Sequence, residues 1–273
     1  MIKIENLSKK FNSKKILNDI TIDFQNKTYG LLGENGAGKT TLIRCITGMY
    51  SNYKGTISIV DANKQIGYLP QNFGAFKELT VNDMMLFFAN QKGLPIKSTV
   101  KEIPNLIELV NLPDKANTKV GKLSGGMIRR LGIAQALLGN PDIIVFDEPT
   151  AGLDPEERLR FKNIIEKIKK EKTIIISTHI VEDVDVLCDE IAIVKNGRII
   201  ECNSTKEIRN IAKGKVYEIP ETLSYNLTDS YEVVKQFNKN NNLYYRVLTK
   251  EFDSNYLVES TIEDGYLCSI KNI

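Results

Sequence analysis

Three short segments contain the residue types that bind phosphate, hold a metal ion and move protons. The first is Gly33-Glu-Asn-Gly-Ala-Gly-Lys-Thr-Thr41, which directly follows the apolar stretch Gly30 to Leu32. Its glycines let the backbone curl so that amide groups face phosphate oxygens, and a following helix adds the positive end of its dipole. The pattern predicts a nucleotide phosphate-binding loop in which Lys39 contacts the β- and γ-phosphates and Thr40 holds Mg²⁺.

The rest of this loop is expected to surround the same phosphates. A glycine turn before a helix would account for Gly33 or Gly38 alone, but it would not account for the whole spacing with a Lys and a Thr. We therefore predict that the nucleotide is bound by Asn35, Gly36, Ala37, Gly38, Lys39, Thr40 and Thr41.

The second segment, Ile143-Ile-Val-Phe-Asp-Glu148, is an apolar strand that ends in two acidic residues. Two carboxylates at such a position are costly without cations or polar partners. Asp147 suits Mg²⁺ coordination, and Glu148, which points to the other side of the strand, is placed to polarise an attacking water. Two surface acids at a strand end are the alternative when this segment is taken alone.

The third segment, Leu123-Ser-Gly-Gly-Met127, opens a predicted helix with Ser124 as its N-cap. The same hydroxyl, together with the bare amides of Gly125 and Gly126 and the helix dipole, also offers a site for a phosphate group. On its own the segment is only a loop and a cap. The phosphate-binding loop elsewhere in the chain is what favours the second interpretation.

A sheet is needed to bring these segments together. Short β-rich runs without two-sided polarity occur at Thr28 to Leu32, Ile143 to Phe146 and Thr173 to Ile176. This pattern is typical of strands that are buried on both faces. The sequence therefore predicts an α/β fold in which helices cover a sheet.

A helical insertion is predicted between the first of these strands and the second. Thr80-Val-Asn-Asp83 resembles a capping box. Apolar residues follow at helical spacing: Val81, Met84, Met85 and Phe88. Two more, Leu86 and Phe87, widen the apolar face, which we interpret as buried core in preference to a partner site.

The amino-acid composition changes after about Asn210, where the chain becomes polar and rich in asparagine. Two strand-like runs, Lys215 to Ile219 and Leu243 to Leu248, interrupt this polar stretch. The sequence therefore predicts a small C-terminal α/β appendage.

Composition limits the classes of protein to which the chain could belong. Its 273 residues are 42% hydrophobic, which allows one good core and a small appendage. The net charge of +3 is too small to indicate nucleic acid as the main partner. The sequence has no run of roughly 18 apolar residues, the minimum for a membrane span, and Met1 to Lys10 lacks the apolar core of a secretory signal. A cytoplasmic location is expected.

These motifs, in this order, resemble the ATP-binding-cassette ATPases over roughly Met1 to Ile208. The resemblance implies a P-loop NTPase core with a mostly parallel sheet, an antiparallel β subdomain, a helical subdomain insertion and a small C-terminal α/β appendage. The implied division is an ATPase domain at 1–213, with its helical subdomain at about 75–140, and an accessory domain at 214–273. Met127 departs from the family, which more often has Gln there.

The resemblance also implies roles for residues outside the three segments. Gln71, in Tyr-Leu-Pro-Gln, matches the Q-loop, which contributes to catalysis and metal binding, and Asp154, in Ala-Gly-Leu-Asp, matches the D-loop at the nucleotide. His179, the only histidine, matches the switch histidine that contacts the γ-phosphate. Phe11 falls where the family has an aromatic residue that stacks on adenine, although Tyr is commoner there.

The implied function is hydrolysis of ATP with Mg²⁺, powering transport through integral-membrane subunits on separate chains. Each of two cassettes would give its phosphate-binding loop to one ATP and Ser124, Gly125 and Gly126 to the other. The expected partner is a second copy of this chain, with a different cassette as the alternative. The chain would be peripheral on the inner face of the cell membrane, with no nucleic-acid partner.

Three local sequences resemble those of bacterial single-cassette exporters of drugs, peptides and antibiotics: Leu-Ser-Gly-Gly-Met, Thr-His-Ile-Val-Glu-Asp and Ser260-Thr-Ile-Glu-Asp264. Export is therefore favoured over import. The rival class is a soluble cassette ATPase acting on nucleic acid or ribosomes, against which the single cassette and the weak charge argue. A non-catalytic cassette would be expected to lose Glu148 or His179, and both are present.

Overall fold

The computed structural model describes residues 1–60, 65–227 and 231–273. Its strands are β1 (Ile2–Phe11), β2 (Lys14–Phe24), β3 (Thr28–Leu32), β4 (Lys54–Ile59), β5 (Ile66–Leu69), β6 (Ile143–Asp147), β7 (Thr173–Thr178), β8 (Glu190–Lys195), β9 (Arg198–Ser204), β10 (Val216–Pro220), β11 (Tyr231–Lys239) and β12 (Asn242–Thr249). Its α-helices are α1 (Lys39–Ile46), α2 (Val81–Gln91), α3 (Ile96–Leu109), α4 (Gly125–Leu137), α5 (Pro155–Ile168), α6 (Val181–Leu187), α7 (Thr205–Ile211) and α8 (Ile262–Lys271).

The central sheet has the order β5-β6-β7-β3-β8-β9, with parallel pairing throughout except between β8 and β9. Every residue of β3, β6 and β7 is buried, as predicted from their unbroken apolar runs. The carboxyl ends of parallel strands meet at one edge of a sheet, which is where ligands bind in such folds. The segments after β3, β6 and β7 therefore converge.

A second, antiparallel sheet has the order β2-β1-β4. Ile2, Ile4 and Leu7 of β1 are buried, so the alternation in the sequence faces a core. That core also includes Leu42 of α1 and Val145 of β6. The antiparallel layer thus packs over the phosphate-binding loop's helix and the central sheet.

The insertion between β5 and β6 consists mainly of α2, α3 and α4. Thr80 caps α2, since its hydroxyl accepts a hydrogen bond from the backbone N–H of Asp83 at 3.1 Å. Met84 and Met85 are buried in the core, whereas Leu86 is 37% exposed. Burial of Met84 and Met85 confirms the predicted core face, but the interpretation of Leu86 as buried core is wrong, because Leu86 lies at the solvent-exposed edge of that face. No helix in the described part of the chain is long and apolar enough to cross a membrane.

The C-terminal segment forms the antiparallel sheet β10-β12-β11 and the helix α8. The sequence predicted β10 and β12 but gave no assignment for α8. Its signal was present, because Thr261 and Asp264 form a reciprocal capping box at its start. This local structure gives a physical reason for the Ser260 to Asp264 motif.

Helix α8 packs back against the ATPase core. Ile262 belongs to the main core cluster, and Tyr266 and Ile270, on the same helical face, pack against it. A Cβ atom at Gly265 would lie 1.9 Å from the carbonyl oxygen of Ile208, so only glycine allows α7 and α8 to approach this closely. The division at 213/214 stays a prediction, and these contacts cross it.

Arg246 of β12 joins three elements of the appendage, because it binds Asp264 of α8 and Glu218 of β10. Its guanidinium donates to both carboxylate oxygens of Asp264, from Nε at 3.1 Å and from Nη2 at 2.7 Å, and to Glu218 Oε1 at 2.9 Å. Burial raises the pKa of the Asp264 carboxyl, but hydrogen bonds from Arg246 and Thr261 outweigh this effect and hold it below its usual value. The stabilisation is present above the unfolded pKa of about 3.9 and is lost as the pH falls through the folded pKa.

Asp264→Asn is expected to reduce the free energy of unfolding at pH 7 by about 3 kcal/mol, because it removes the buried carboxylate that accepts two hydrogen bonds from Arg246 and leaves only the ion pair with Glu218. Urea unfolding at pH 7 measures this loss. The gap between wild type and variant should shrink as the pH falls below the unfolded pKa of about 3.9, and it should close only below the lowered folded pKa, where the native carboxylate is protonated as well. Glu263→Gln, at an exposed position on the same helix, is the control. Equal stability of Asp264→Asn and wild type at pH 7 would contradict the argument.

Candidate nucleotide-binding site

The loop between β3 and α1 requires glycine at particular positions. A Cβ atom at Gly33 would lie 2.3 Å from the carbonyl oxygen of Val194. Gly38, the residue before α1, has a φ of 111°, and Gly36 has a φ of 85°. L-residues with side chains rarely adopt these values. The glycine spacing in the sequence therefore has a conformational cause, as expected for a loop whose amides face an anion.

Lys39 begins α1 and is buried. Its Nζ donates to the carbonyl of Gly33 at 2.6 Å and to that of Glu34 at 3.2 Å, and it lies 3.5 Å from Glu148 Oε1. Burial lowers the pKa of Lys39, although Glu148 and Asp147 act in the opposite direction. An ammonium group in this position can donate to phosphate oxygens held by the loop.

Asp147 at the end of β6 is fully buried. Its Oδ1 accepts hydrogen bonds from Ser177 Oγ at 2.5 Å and from Thr40 Oγ1 at 3.2 Å. Its Oδ2 has no hydrogen-bond partner. An unpartnered buried carboxylate oxygen beside a threonine hydroxyl fits Mg²⁺, which prefers oxygen ligands and takes the rest from phosphates and water. Gln71 lines the same cleft as Thr40.

Glu148 follows β6 and contacts Lys39 at the start of α1 as well as Ser177 and His179 at the end of β7. Its Oε2 lies 2.9 Å from His179 Nδ1, and its backbone N–H donates to Ser177 Oγ at 3.0 Å. Its φ is 50°, in the left-handed region. Asn and Asp tolerate this region best. Within the described residues, the other non-glycine residues there are Asn or Asp except Glu171, which is exposed whereas Glu148 is 4% exposed.

A cleft of about 550 Å³ collects most of the predicted ligands of the nucleotide. The predicted residues that line it are Phe11, Asn35, Gly36, Gly38, Lys39, Thr40, Thr41, Gln71 and Glu148. Ala37 lies outside this lining and faces a smaller cavity beside Lys195. A larger open cleft of about 710 Å³ lies between α7 and residues 257–260, and it contains none of the three segments.

Neither the third segment, Leu123 to Met127, nor the D-loop residue Asp154 lines this cleft. Ser124 caps α4, where its hydroxyl accepts a hydrogen bond from the backbone N–H of Met127 at 3.2 Å. Asp154 caps α5 through the N–H of Glu157 at 2.8 Å. Neither residue lines the cleft, and neither does Gly125 or Gly126. One chain alone therefore brings together only one side of the predicted site.

Several residues of the cleft were not predicted. Tyr50 packs edge-on against Phe11, with ring centroids 5.3 Å apart, and its hydroxyl accepts a hydrogen bond from Arg44 at 2.9 Å. Lys9 is not part of the cleft lining but lies next to it, with Nζ 5.1 Å from the Phe11 ring centroid and 5.2 Å from that of Tyr50. Lys14 also lines the cleft. No motif marks these residues, because their association depends on strand pairing and not on spacing in the sequence.

Comparison with known proteins agrees with this geometry. The family model described as ABC transporter matches residues 17–151. The chain is 33% identical to an ABC transporter ATP-binding protein of Bacillus subtilis, over 80% of this chain and 76% of that protein. It is 37% identical to the Nod factor export ATP-binding protein I of Burkholderia lata, over 73% of this chain and 69% of that protein.

Solved structures support the same assignment. The ADP conformation of an ATP-binding cassette of an ABC transporter superposes with a TM-score of 0.68 at 28% identity, covering 77% of this chain and 94% of that one. The predicted P-loop NTPase fold is thus confirmed. With its phosphate-binding loop, its paired acids and its relatives all in agreement, the chain belongs to the ATP-binding subunits of the ABC transporter family.

Proposed function

We propose that this chain hydrolyses ATP to power export through separate integral-membrane subunits. The observation that carries the proposal is the convergence of Lys39, Asp147, Glu148 and His179 at the carboxyl edge of the central sheet. At this edge, an ammonium group, a candidate metal ligand, a candidate carboxylate base and an imidazole lie close to the phosphate-binding loop. This is the set of groups that phosphoryl transfer to water requires.

Each group has a distinct part in the proposed reaction. The loop amides and Lys39 would bind the β- and γ-phosphates, and Thr40, Gln71 and Asp147 would hold Mg²⁺, which would supply positive charge to the phosphates. Glu148 orients the attacking water and accepts its proton. His179 holds the Glu148 carboxylate through the 2.9 Å contact and would contact the γ-phosphate, as the switch histidine of the family does.

Phe11 and Tyr50 support recognition of the base. Phe11 is 41% exposed at the mouth of the cleft, although large aromatic side chains are usually buried. A purine stacked on this ring would cover its apolar surface. We propose that Phe11 stacks on adenine and that Tyr50 supports it from behind.

A second cassette would complete the site. Ser124, Gly125, Gly126 and Asp154 lie outside the cleft of their own chain, and the N-terminus of α4 presents amides and a dipole suited to a phosphate. In a two-fold symmetric dimer these groups would face the nucleotide of the partner. We propose a homodimer, in which both sites have a full set of groups.

The membrane subunits would dock on the helical subdomain, close to Gln71. Phe76 is 53% exposed and stacks edge-on against Phe87 of α2, with centroids 5.1 Å apart. Leu86 adds further exposed apolar surface. An apolar patch of this kind is typical of an interaction site. Export as the direction is supported by relatives named for Nod factor export.

Hydrolysis of radiolabelled ATP by the purified chain with Mg²⁺ tests the catalytic part, and Lys39→Ala should abolish it. Retention of the chain on washed membranes from cells that contain the complete transporter tests the docking part. Phe76→Ser should reduce this retention while ATP hydrolysis by the isolated chain persists. Ile96→Ser, at another exposed apolar position on α3, is the matched control. Equal hydrolysis by wild type and Lys39→Ala, or equal retention of Phe76→Ser and Ile96→Ser, would refute the corresponding part.

A further inference from the structure

Arg129 lies in α4, five residues after the cap residue Ser124, and its guanidinium reaches the loop that contains Gln71. Nη1 donates to the carbonyl of Pro70 at 3.2 Å and to that of Gln71 at 2.9 Å. Gln71 lines the nucleotide cleft. Arg129 thus holds the backbone of a proposed metal ligand from behind.

The same guanidinium also holds the turn that follows β6. Nη2 donates to the carbonyls of Asp147, at 3.1 Å, and Glu148, and Nε donates to that of Pro149 at 3.1 Å. Glu148 has the left-handed backbone conformation described above. Carbonyls aimed at a single cation would repel one another without it, so Arg129 stabilises this conformation of the turn.

Arg129 makes these contacts as a largely desolvated cation. Burial lowers the pKa of its guanidinium, and Asp147 and Glu148 act in the opposite direction. An arginine nevertheless stays protonated in a protein. Its planar fork can reach several acceptors at once, whereas a lysine ammonium is a single point donor. The carbonyls of two separate loops therefore suit arginine and not lysine.

The neighbouring Arg130 provides a contrast. It pairs with Glu157 at 3.2 Å and donates to the carbonyls of Val110, at 3.2 Å, and Asn111, at 2.6 Å. The carbonyl contacts are within the helical subdomain, and the ion pair is with α5. Two adjacent arginines on one helix, Arg129 half-buried and Arg130 buried, thus bind backbone carbonyls in different places.

We infer that Arg129 is a positioning residue for the proposed hydrolysis reaction, which holds the Gln71 and Glu148 backbones so that both side chains point into the nucleotide cleft. The inference rests on the proposed function of this site. A displacement of about 1 Å in a reacting group can lower the rate by roughly 10²-fold. Loss of Arg129 should therefore act on turnover and leave the phosphate-binding loop intact.

The kinetic test compares Arg129→Met, Arg129→Lys and Arg130→Met with wild type. Arg129→Met should lower kcat by roughly 10²-fold with a nearly unchanged KM for ATP, and Arg129→Lys should restore part of the rate. In a Glu148→Gln background the Arg129→Met change should have a smaller effect, because its action through Glu148 is already lost and only its action through Gln71 remains. A full multiplicative effect in that background, or normal kcat in Arg129→Met, would overturn the inference.

Hydrogen exchange of the nucleotide-free chain gives a readout that does not depend on activity. Arg129→Met should speed amide exchange in residues 70–73 and 147–151, and Arg130→Met should not. Unchanged exchange in both segments would also overturn the inference. If wild type hydrolyses no ATP, the proposed function fails, while the exchange result still decides whether Arg129 holds these two loops.

Discussion

Glu148→Gln is expected to slow ATP hydrolysis by roughly two to four orders of magnitude while ATP still binds. The substitution keeps the size and polarity of the side chain but removes the carboxylate that would accept the proton of the attacking water. The loop, Lys39 and the metal ligands are unchanged, so the affinity for ATP should persist. Single-turnover hydrolysis and equilibrium ATP binding, measured on the same preparation, separate the two effects.

Slow hydrolysis should also trap the closed dimer. Size-exclusion chromatography with ATP and Mg²⁺ is expected to show Glu148→Gln as a dimer and wild type mostly as a monomer. Glu171→Gln is the matched control, because Glu171 is also a glutamate with a left-handed backbone but is exposed and lies outside the cleft. Near-normal turnover in Glu148→Gln would remove this residue from the proposed role. Slow turnover without a dimer would count against ATP-driven association.

Mixing a Lys39→Ala chain with a Ser124→Arg chain is expected to restore hydrolysis that neither variant shows alone. In a two-fold dimer one site would combine the intact loop of one chain with the intact Ser124 segment of the other. Random pairing makes half of the dimers mixed, each with one intact site, so about a quarter of the wild-type sites should return. Steady-state ATP hydrolysis against mixing ratio measures this recovery.

The control mixes Lys39→Ala with Glu148→Gln. Lys39 and Glu148 line the cleft of the same chain. Each site in a mixed dimer would therefore contain one of the two substitutions, and no recovery is expected. If the Lys39→Ala and Ser124→Arg mixture is no more active than its components, each site lies within one chain. The proposed dimer would then be wrong.

Much of the fold was predictable because its signals are local. The strands β3, β6 and β7 are unbroken apolar runs, and Ser124 and Thr80 are N-caps at the start of helical patterns. The observed parallel pairing of these strands then brings the loops that follow them to one edge of the sheet. Local sequence signals therefore carried these predictions.

The residues that were missed depend on long-range contacts. Arg129 lies 18 to 59 residues from the carbonyls it holds, and in the sequence it is one basic residue in an amphipathic helix. Tyr50 lies in the segment between α1 and β4, and it contacts Phe11 of β1 where β4 pairs with β1. Helix α8 had a capping box, but the asparagine-rich sequence before it favoured a polar appendage. No pattern in the sequence determines such contacts before the sheet and helices are assembled.

The backbone of Glu148 has a consequence for the evolution of this chain. A non-glycine residue in the left-handed region costs on the order of 1–3 kcal/mol, and here the side chain is also buried beside Lys39. Glycine at position 148 would relieve this backbone strain and would abolish the proposed base. Selection for thermal tolerance alone would therefore favour inactive sequences at this position. Stability and activity trade off at this one residue, and keeping glutamate there requires continued selection for turnover.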